Sequence, residues 1–262
     1  MKLILIVNDE PVIGPDLLQE LIDLHNLPIT AIIECPQFPE EAPIIKRVVF
    51  NLKTALNMGI QYSMNYVGKL FYRKIQLAFK VSSSPKTVRT ICRDSNIDYY
   101  YFRSVNNEHL HELMVGKSDT IIFNMCSQVY STKSLKQIGT RLYNFHGSLL
   151  PFHRGRFPLF WALHSGRSQG ITCHRIVRKL DCGGILLQEK LKTDSNIMEV
   201  IMSQYLTQLP AFIASCFHVL SCGEPYSLKS QQGGSYDPDP SFLELFFSKI
   251  KVAKIIENLI SH

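Results

Sequence analysis

Apolar residues in this chain follow two patterns: short unbroken runs, and stretches where they recur every third or fourth position. Leu3–Val7 (LILIV) is an unbroken run ending in the polar turn NDEPVIGP, the pattern of a strand buried on both faces of a parallel sheet. In DLLQELIDLH, which follows, Leu17, Leu18, Leu21, Ile22 and Leu24 have helical spacing, Asp16 stands where a cap is expected, and Pro28 closes the region. Ile29–Glu34 reads as a second strand, so the chain opens as a βαβ unit. Further strands are predicted at Ile97–Phe102, Asp119–Asn124, Arg141–His146, Gly170–Val177 and Gly184–Leu191. Helices are predicted around Glu108–Val115, Lys133–Ile138 and Pro158–His164. This is an α/β chain with a Rossmann-like, mostly parallel sheet and helices on both faces. A helix at Met198–Cys216, a Gly/Pro/Ser-rich stretch and a last helical stretch at Phe242–Ile260 complete the pattern. We expect a main domain over 1–191 and a small C-terminal accessory region over 192–262.

One segment breaks the alternation. Pro43–Pro85 is basic and aromatic and contains no Asp or Glu. The favoured reading of this insertion, about 44–85, is a pair of helices packed on the domain. A peripheral membrane contact by 44–80 is the less favoured reading, because basic amphipathic helices bearing Phe and Tyr lie at bilayer interfaces.

Composition narrows the class. With 45% hydrophobic and 19% charged residues over 262 positions, the chain has ample core material for a globular fold. A net charge of +6 suits an anionic small ligand and is too weak to demand nucleic acid. Seven cysteines without a C-x-x-C pair read as reduced thiols rather than a disulfide framework or a metal site. The start MKLILIVNDEP is too short in apolar residues for a signal peptide, and no 18-residue apolar run spans a membrane. The expected compartment is the cytoplasm.

The candidate chemistry sits at the end of a strand. In YNFHGSLLPFHRG, Asn144 and His146 are two residues apart, so they share one face of the strand, with Tyr143 and Phe145 on the other. Ligands in open α/β sheets bind beyond the carboxyl ends of strands. An amide N–H there can donate to a developing oxyanion, and an imidazole can relay a proton or support charge. The competing reading is a turn-capping asparagine beside a satisfied histidine. Asp181, in the turn RKLDCGGIL, either orients such a histidine or is an ordinary turn residue before Gly-Gly. His109 and His111 in HLHEL do not share a helix face, His153 and His174 read as loop and packing residues, and no cysteine has a base partner. Neither G-x-G-x-x-G nor a P-loop occurs.

The stretch from Asn144 to Leu191 resembles the catalytic core of the folate-dependent formyltransferases, most closely the nucleotide-sugar N-formyltransferases. The pattern is carried by Asn144, His146, Ser148, Leu149, Leu150, Pro151, Arg154, Gly155, Pro158, Trp161, Ala162, Gly166, Gly170, Thr172, His174, Asp181 and Gly183. The resemblance is clear from about Ile97 to Leu191 and weak over Pro43–Pro85 and in the tail. It implies transfer of a formyl group from 10-formyltetrahydrofolate to a primary amine, without a metal. It further implies that Asn144 and His146 stabilise the tetrahedral intermediate while Asp181 orients His146 and helps to move the proton. The donor would lie against Met125, Cys126, Ser127, Gln128, Val129, the loop preceding Asp181, and Gly183, with Leu149 and Leu150 shaping its pocket. Arg154 is either a loop anchor or a contact to a substrate anion. The expected acceptor is the amino group of a nucleotide-linked deoxy-sugar, with the insertion as a possible acceptor-binding flap. Methionyl-tRNA and glycinamide ribonucleotide acceptors, and a non-catalytic binding module, are the alternatives. A homodimer is compatible with this reading.

Overall fold

The computed structural model describes residues 1–38, 42–58, 60–79, 87–115, 119–193, 195–222 and 227–247. The first half contains β1 (Lys2–Asn8), α1 (Ile13–Asp23), β2 (Ile29–Cys35), α2 (Ile44–Met58), α3 (Ile60–Ala78), α4 (Val88–Asp94), β3 (Asp98–Tyr101), α5 (Glu108–Met114), β4 (Thr120–Met125) and α6 (Thr132–Ile138). The second contains β5 (Leu142–His146), β6 (Arg154–Gly155), α7 (Pro158–His164), β7 (Gly170–Arg175), β8 (Ile185–Lys190), α8 (Met198–Ser221), β9 (Tyr236–Asp237) and α9 (Phe242–Phe247). Seven strands form one sheet in the order β3-β2-β1-β4-β5-β7-β8, parallel from β3 to β5 and antiparallel at β7 and β8. The chain winds outward from β1 to one edge, then returns to lay β4 on the other side of β1, so the topological switch lies between β1 and β4.

Alternation along the unbroken apolar strands builds two cores. Leu3 and Leu5 pack on one face with Leu18 and Leu21 of α1, Ile91 of α4, and Ile201 and Phe212 of α8. Ile4 and Ile6 pack on the other face with Leu110 and Met114 of α5 and Ile138 of α6. Each such side chain is almost fully buried and contributes about 1.5–3 kcal/mol of transfer free energy. By length and composition α8 could cross a bilayer; instead it is a core helix with buried residues along its length, among them Ile201, Phe212, Ile213 and Cys216.

Local details differ from the sequence expectation in three places. Helix α1 begins at Ile13, before Asp16, and it is the Glu10 carboxylate that accepts from the backbone N–H groups of Val12 (3.0 Å), Ile13 and Gly14 (2.9 Å). That places a negative charge against the positive end of the helix. The short helix α4, absent from the apolar pattern, is held by a reciprocal cap between Thr87 and Thr90. Finally, residues 192–247 are not set apart, because α8 joins the main core, Lys229 bridges to Ile185 of the edge strand β8, and β9 pairs with β6 in a separate two-stranded sheet. The predicted last helix is described only as far as Phe247, and residues 80–85 of the insertion and the rest of that helix lie outside the described residues.

The basic segment folds as two helices packed on each other and on the domain. On α3, the Tyr66 hydroxyl donates to Glu10 (2.5 Å) and the Arg73 guanidinium pairs with Asp16 (2.8 Å).

Candidate active site

A cavity of about 860 Å³ opens beyond the carboxyl ends of β4 and β5, next to the switch point. Its polar end is made by strand register. Asn124 on β4, Asn144 on β5 and His174 on β7 stand in one row across three adjacent strands. The Tyr130 hydroxyl donates to Asn124 Oδ1 (2.8 Å), and Asn124 Nδ2 donates to Asn144 Oδ1 (2.9 Å). With its oxygen committed, the Asn144 amide turns its N–H groups toward the cavity, where their protein contacts, Phe145 O and His174 Nε2, are both at a long 3.4 Å.

His146 ends β5 and is only 5% exposed. Its Nε2 donates to the His153 carbonyl (2.8 Å), so the neutral ring carries its lone pair on Nδ1. That nitrogen faces Asp181 Oδ2 at 3.8 Å. Burial lowers the His146 pKa below 6.5 despite the opposing effect of the Asp181 charge, so the ring is neutral near pH 7. Asp181 is held at φ +51, in the left-handed region, by the turn after β7. Its Oδ2 accepts from the Gly155 N–H (2.9 Å) and its Oδ1 lies 3.5 Å from His174 Nε2. Burial alone would raise this carboxyl. The His174 hydrogen bond, the His146 charge and the Gly155 N–H outweigh it and hold the pKa below 3.8. The pair therefore stands as neutral imidazole and carboxylate. His153 and Phe157, the other non-glycine residues at positive φ near the site, flank the same loop.

The C-terminal segment closes this loop. Strand β9 pairs with β6, Ser235 exchanges backbone hydrogen bonds with Pro151 and Arg154, and Asp237 Oδ2 accepts from His153 Nδ1 (2.7 Å). Gln231 Nε2 donates to the carbonyls of Asp181 (3.0 Å) and Gly183 (2.7 Å). Gly234, at φ +91, lies so close to Pro151 that a Cβ would sit 2.0 Å from its carbonyl oxygen.

Of the residues singled out by sequence, Asn144, His146 and Asp181 come together at the cavity, and Met125, Cys126, Ser127, Gln128 and Val129 line it. The 125–129 turn is braced: the Ser127 N–H donates to Asn8 Oδ1 (3.1 Å), and Gln128 Nε2 donates to the Pro36 carbonyl (2.7 Å). Four others do not line the cavity. Leu149 packs against Gly170, where a Cβ would meet it at 2.3 Å, and Leu150 is buried with its N–H on the Thr172 hydroxyl (3.2 Å). Gly183 lies against the Arg175 backbone, and the Arg154 guanidinium is spent on Gln231 Oε1 (2.9 Å). Among the described residues, the cations that do line the cavity are Lys46, Arg156 and Arg178, with Arg156 stacked 4.1 Å from the Phe50 ring centroid. Sequence reasoning missed Asn124, Tyr130 and the part played by His174. The only signal for Asn124 was a polar residue closing an apolar strand. Among the described residues no group of three or more His, Cys, Asp or Glu is placed to hold a metal.

The family model described as formyl transferase matches residues 76–208, which is half of the chain and includes the whole polar end of the cavity. The chain belongs to the formyl transferase family. Solved structures share its fold at low identity. A sugar N-formyltransferase from a Shewanella species matches at a TM-score of 0.51 and 16% identity, over 90% of this chain and 76% of that one. A sugar 3N-formyltransferase, WlaRD, solved in the presence of dTDP and 5-N-formyl-THF, matches at 0.56 and 15%, over 96% and 78%. A phosphoribosylglycinamide formyltransferase from Anaplasma phagocytophilum matches at 0.53 and 12%, over 90% and 99%. In this formyl transferase, Asn144, His146 and Asp181 all fall inside the matched span.

Proposed function

We propose that the protein transfers a formyl group from 10-formyltetrahydrofolate to the amino group of a nucleotide-linked amino-deoxy-sugar. The observation that carries this is the convergence of an underused amide donor, a neutral imidazole and a carboxylate at one end of a cavity in a formyl transferase. The cavity is of ligand size, with aromatic and aliphatic walls from Phe50, Phe157, Leu159 and Met202 and a polar end at β5, which suits a flat donor whose reactive group meets the polar end. Residues 125–129 would hold the donor, which supplies an activated formyl carbon when bound.

In the reaction the acceptor nitrogen bonds the formyl carbon, negative charge gathers on the formyl oxygen, and one proton leaves the acceptor nitrogen. Asn144 Nδ2 donates to that oxygen. His146 Nδ1 takes the proton and returns it to the departing donor nitrogen as the bond from that nitrogen to the formyl carbon breaks. Asp181, 3.8 Å away, stabilises the imidazolium in between. Lys46, Arg156 and Arg178 are the groups we assign to the acceptor's diphosphate, which favours a nucleotide sugar. A glycinamide ribonucleotide acceptor, with a single phosphate, is the second reading, supported by a fold likeness to the Anaplasma enzyme (TM-score 0.53) that falls between those to the two sugar enzymes. Incubation with 10-formyltetrahydrofolate and a panel of amino-sugar nucleotides, tRNA and glycinamide ribonucleotide, following tetrahydrofolate release, tests the proposal. Tight folate binding without turnover on any amine refutes it.

A further inference from the structure

We propose that the outer face of α2 and α3 seats the protein on an anionic lipid bilayer. At about 100° per residue, Met64, Phe71 and Ile75 share one stripe of α3, opposite Tyr66 and Arg73, which hold the helix to Glu10 and Asp16. That outer stripe is open to solvent: Met64 and Phe71 are each 65% exposed, and Phe79, just past the helix, is 77% exposed. Lys74 falls on a border between the outer and inner stripes and Lys69 lies nearer the inner one, and both are exposed. On α2 the same division holds. Lys46, Phe50 and Asn57 face the cavity, while Ile44, Val48 and Leu52 are exposed on the other side.

An apolar stripe this open on a soluble domain marks a contact surface. Charge decides its occupant. Residues 43–85 hold seven of the chain's 28 Lys and Arg and no Asp or Glu, leaving 21 basic against 22 acidic residues elsewhere. The whole net charge of +6 thus resides in this segment; Arg73 pairs inward with Asp16 and Lys46 faces the cavity, and Lys69 and Lys74 are left as exposed lysines of α3. A second copy meeting the same face across a two-fold axis would bring like charges together. Lysines bordering an apolar stripe can instead reach headgroup phosphates while the aromatic and aliphatic side chains enter the acyl boundary. Because α2 also forms the cavity wall, the seat lies on the opposite side of that wall from the site.

Vesicle flotation with the full chain tests this. Wild type should float with vesicles of phosphatidylcholine containing about one third phosphatidylglycerol, and partition should drop about tenfold or more on neutral vesicles or in high salt. The double substitution Met64→Asp with Phe71→Asp, both at positions 65% exposed, should abolish flotation with Tm unchanged. Lys69→Glu with Lys74→Glu should reduce it about tenfold or more on anionic vesicles alone. Failure of the wild type to partition, or equal partition by the aspartate variant, overturns the proposal. So does light scattering that shows a dimer broken by Phe71→Asp, which would give the face to a second copy, or retention on an acidic protein in place of lipid.

Discussion

Replacing Asp181 by Asn removes a charge and little else. The side-chain amide oxygen can still accept from the Gly155 N–H, and asparagine tolerates the left-handed backbone found here. What disappears is the attraction between a carboxylate and a proton arriving on His146 Nδ1, 3.8 Å away. At an effective dielectric of about 20, two unit charges at this distance interact by about 4 kcal/mol. With half to all of the imidazolium charge developed in the transition state, the loss is about 2–4 kcal/mol, or roughly 30- to 1,000-fold in kcat. The substitution leaves untouched residues 125–129, to which we assign the donor, so KM for the folate should change little. Steady-state tetrahydrofolate release in wild type and Asp181→Asn measures the effect, and a melting curve should show Tm within about 4 °C. A kcat within about fivefold of wild type, with the fold intact, would refute the electrostatic role assigned to Asp181.

Acidification should destabilise the protein in two windows. The folded-state pKa of His146 lies below 6.5 and that of Asp181 below 3.8, so each contribution is complete above the unfolded value and is lost as pH falls through the folded one. A Tm series from about pH 8 to about pH 2.5 should therefore decline below about pH 6.5 and again below about pH 3.8, and His146→Gln should flatten the first decline; an unchanged slope contradicts the burial argument. Asp237→Ala removes the acceptor of a 2.7 Å charge-assisted hydrogen bond from His153, about 1.5–3 kcal/mol, and should lower Tm by roughly 3–8 °C. Gly234→Ala forces a Cβ onto the Pro151 carbonyl at a backbone angle that favours glycine, and should lower both Tm and kcat; unaltered values for both would mean that the 231–239 segment is not a fixture of the site.

How much of this was legible follows from which interactions are local. The parallel strands announced themselves because a strand buried on both faces must be apolar at every position, as in LILIV. Asn144 and His146 stood out because they share one face at the end of a strand, Asp181 because it sits in a Gly-rich turn, and the family pattern drew the three together. The roles of the supporting residues had no such signature, although His174 itself belongs to the family pattern. His174 sits opposite Asn144 only through antiparallel pairing of β5 with β7, and Asn124 only through parallel pairing with β4, so neither juxtaposition exists along the chain. Arg154 attracted notice as a cation beside the motif, yet its guanidinium is satisfied by Gln231, 77 residues on, while Arg156 reaches the cavity. Helix α4 was invisible because its stability rests on a two-threonine cap rather than on an amphipathic stripe of useful length.

The tail contributes chemistry as well as closure. The tautomer of His146 is set by the carbonyl of His153, which must accept and therefore obliges Nε2 to carry the proton. His153 holds that carbonyl in place while at φ +60, a conformation unfavourable for a residue with a side chain. It persists there because its ring is gripped at both nitrogens, by Asp237 at Nδ1 and the Ser165 hydroxyl at Nε2, and its N–H is bonded by the Ser235 hydroxyl. Two of those three partners come from residues 235–237. Releasing the strap would let His153 relax, withdraw the carbonyl from His146 and free either imidazole nitrogen to bear the proton. The lone pair that faces Asp181 is thus held in place by a segment more than eighty residues away in sequence, and a truncation before Gln231 should cost proton transfer before it costs donor binding.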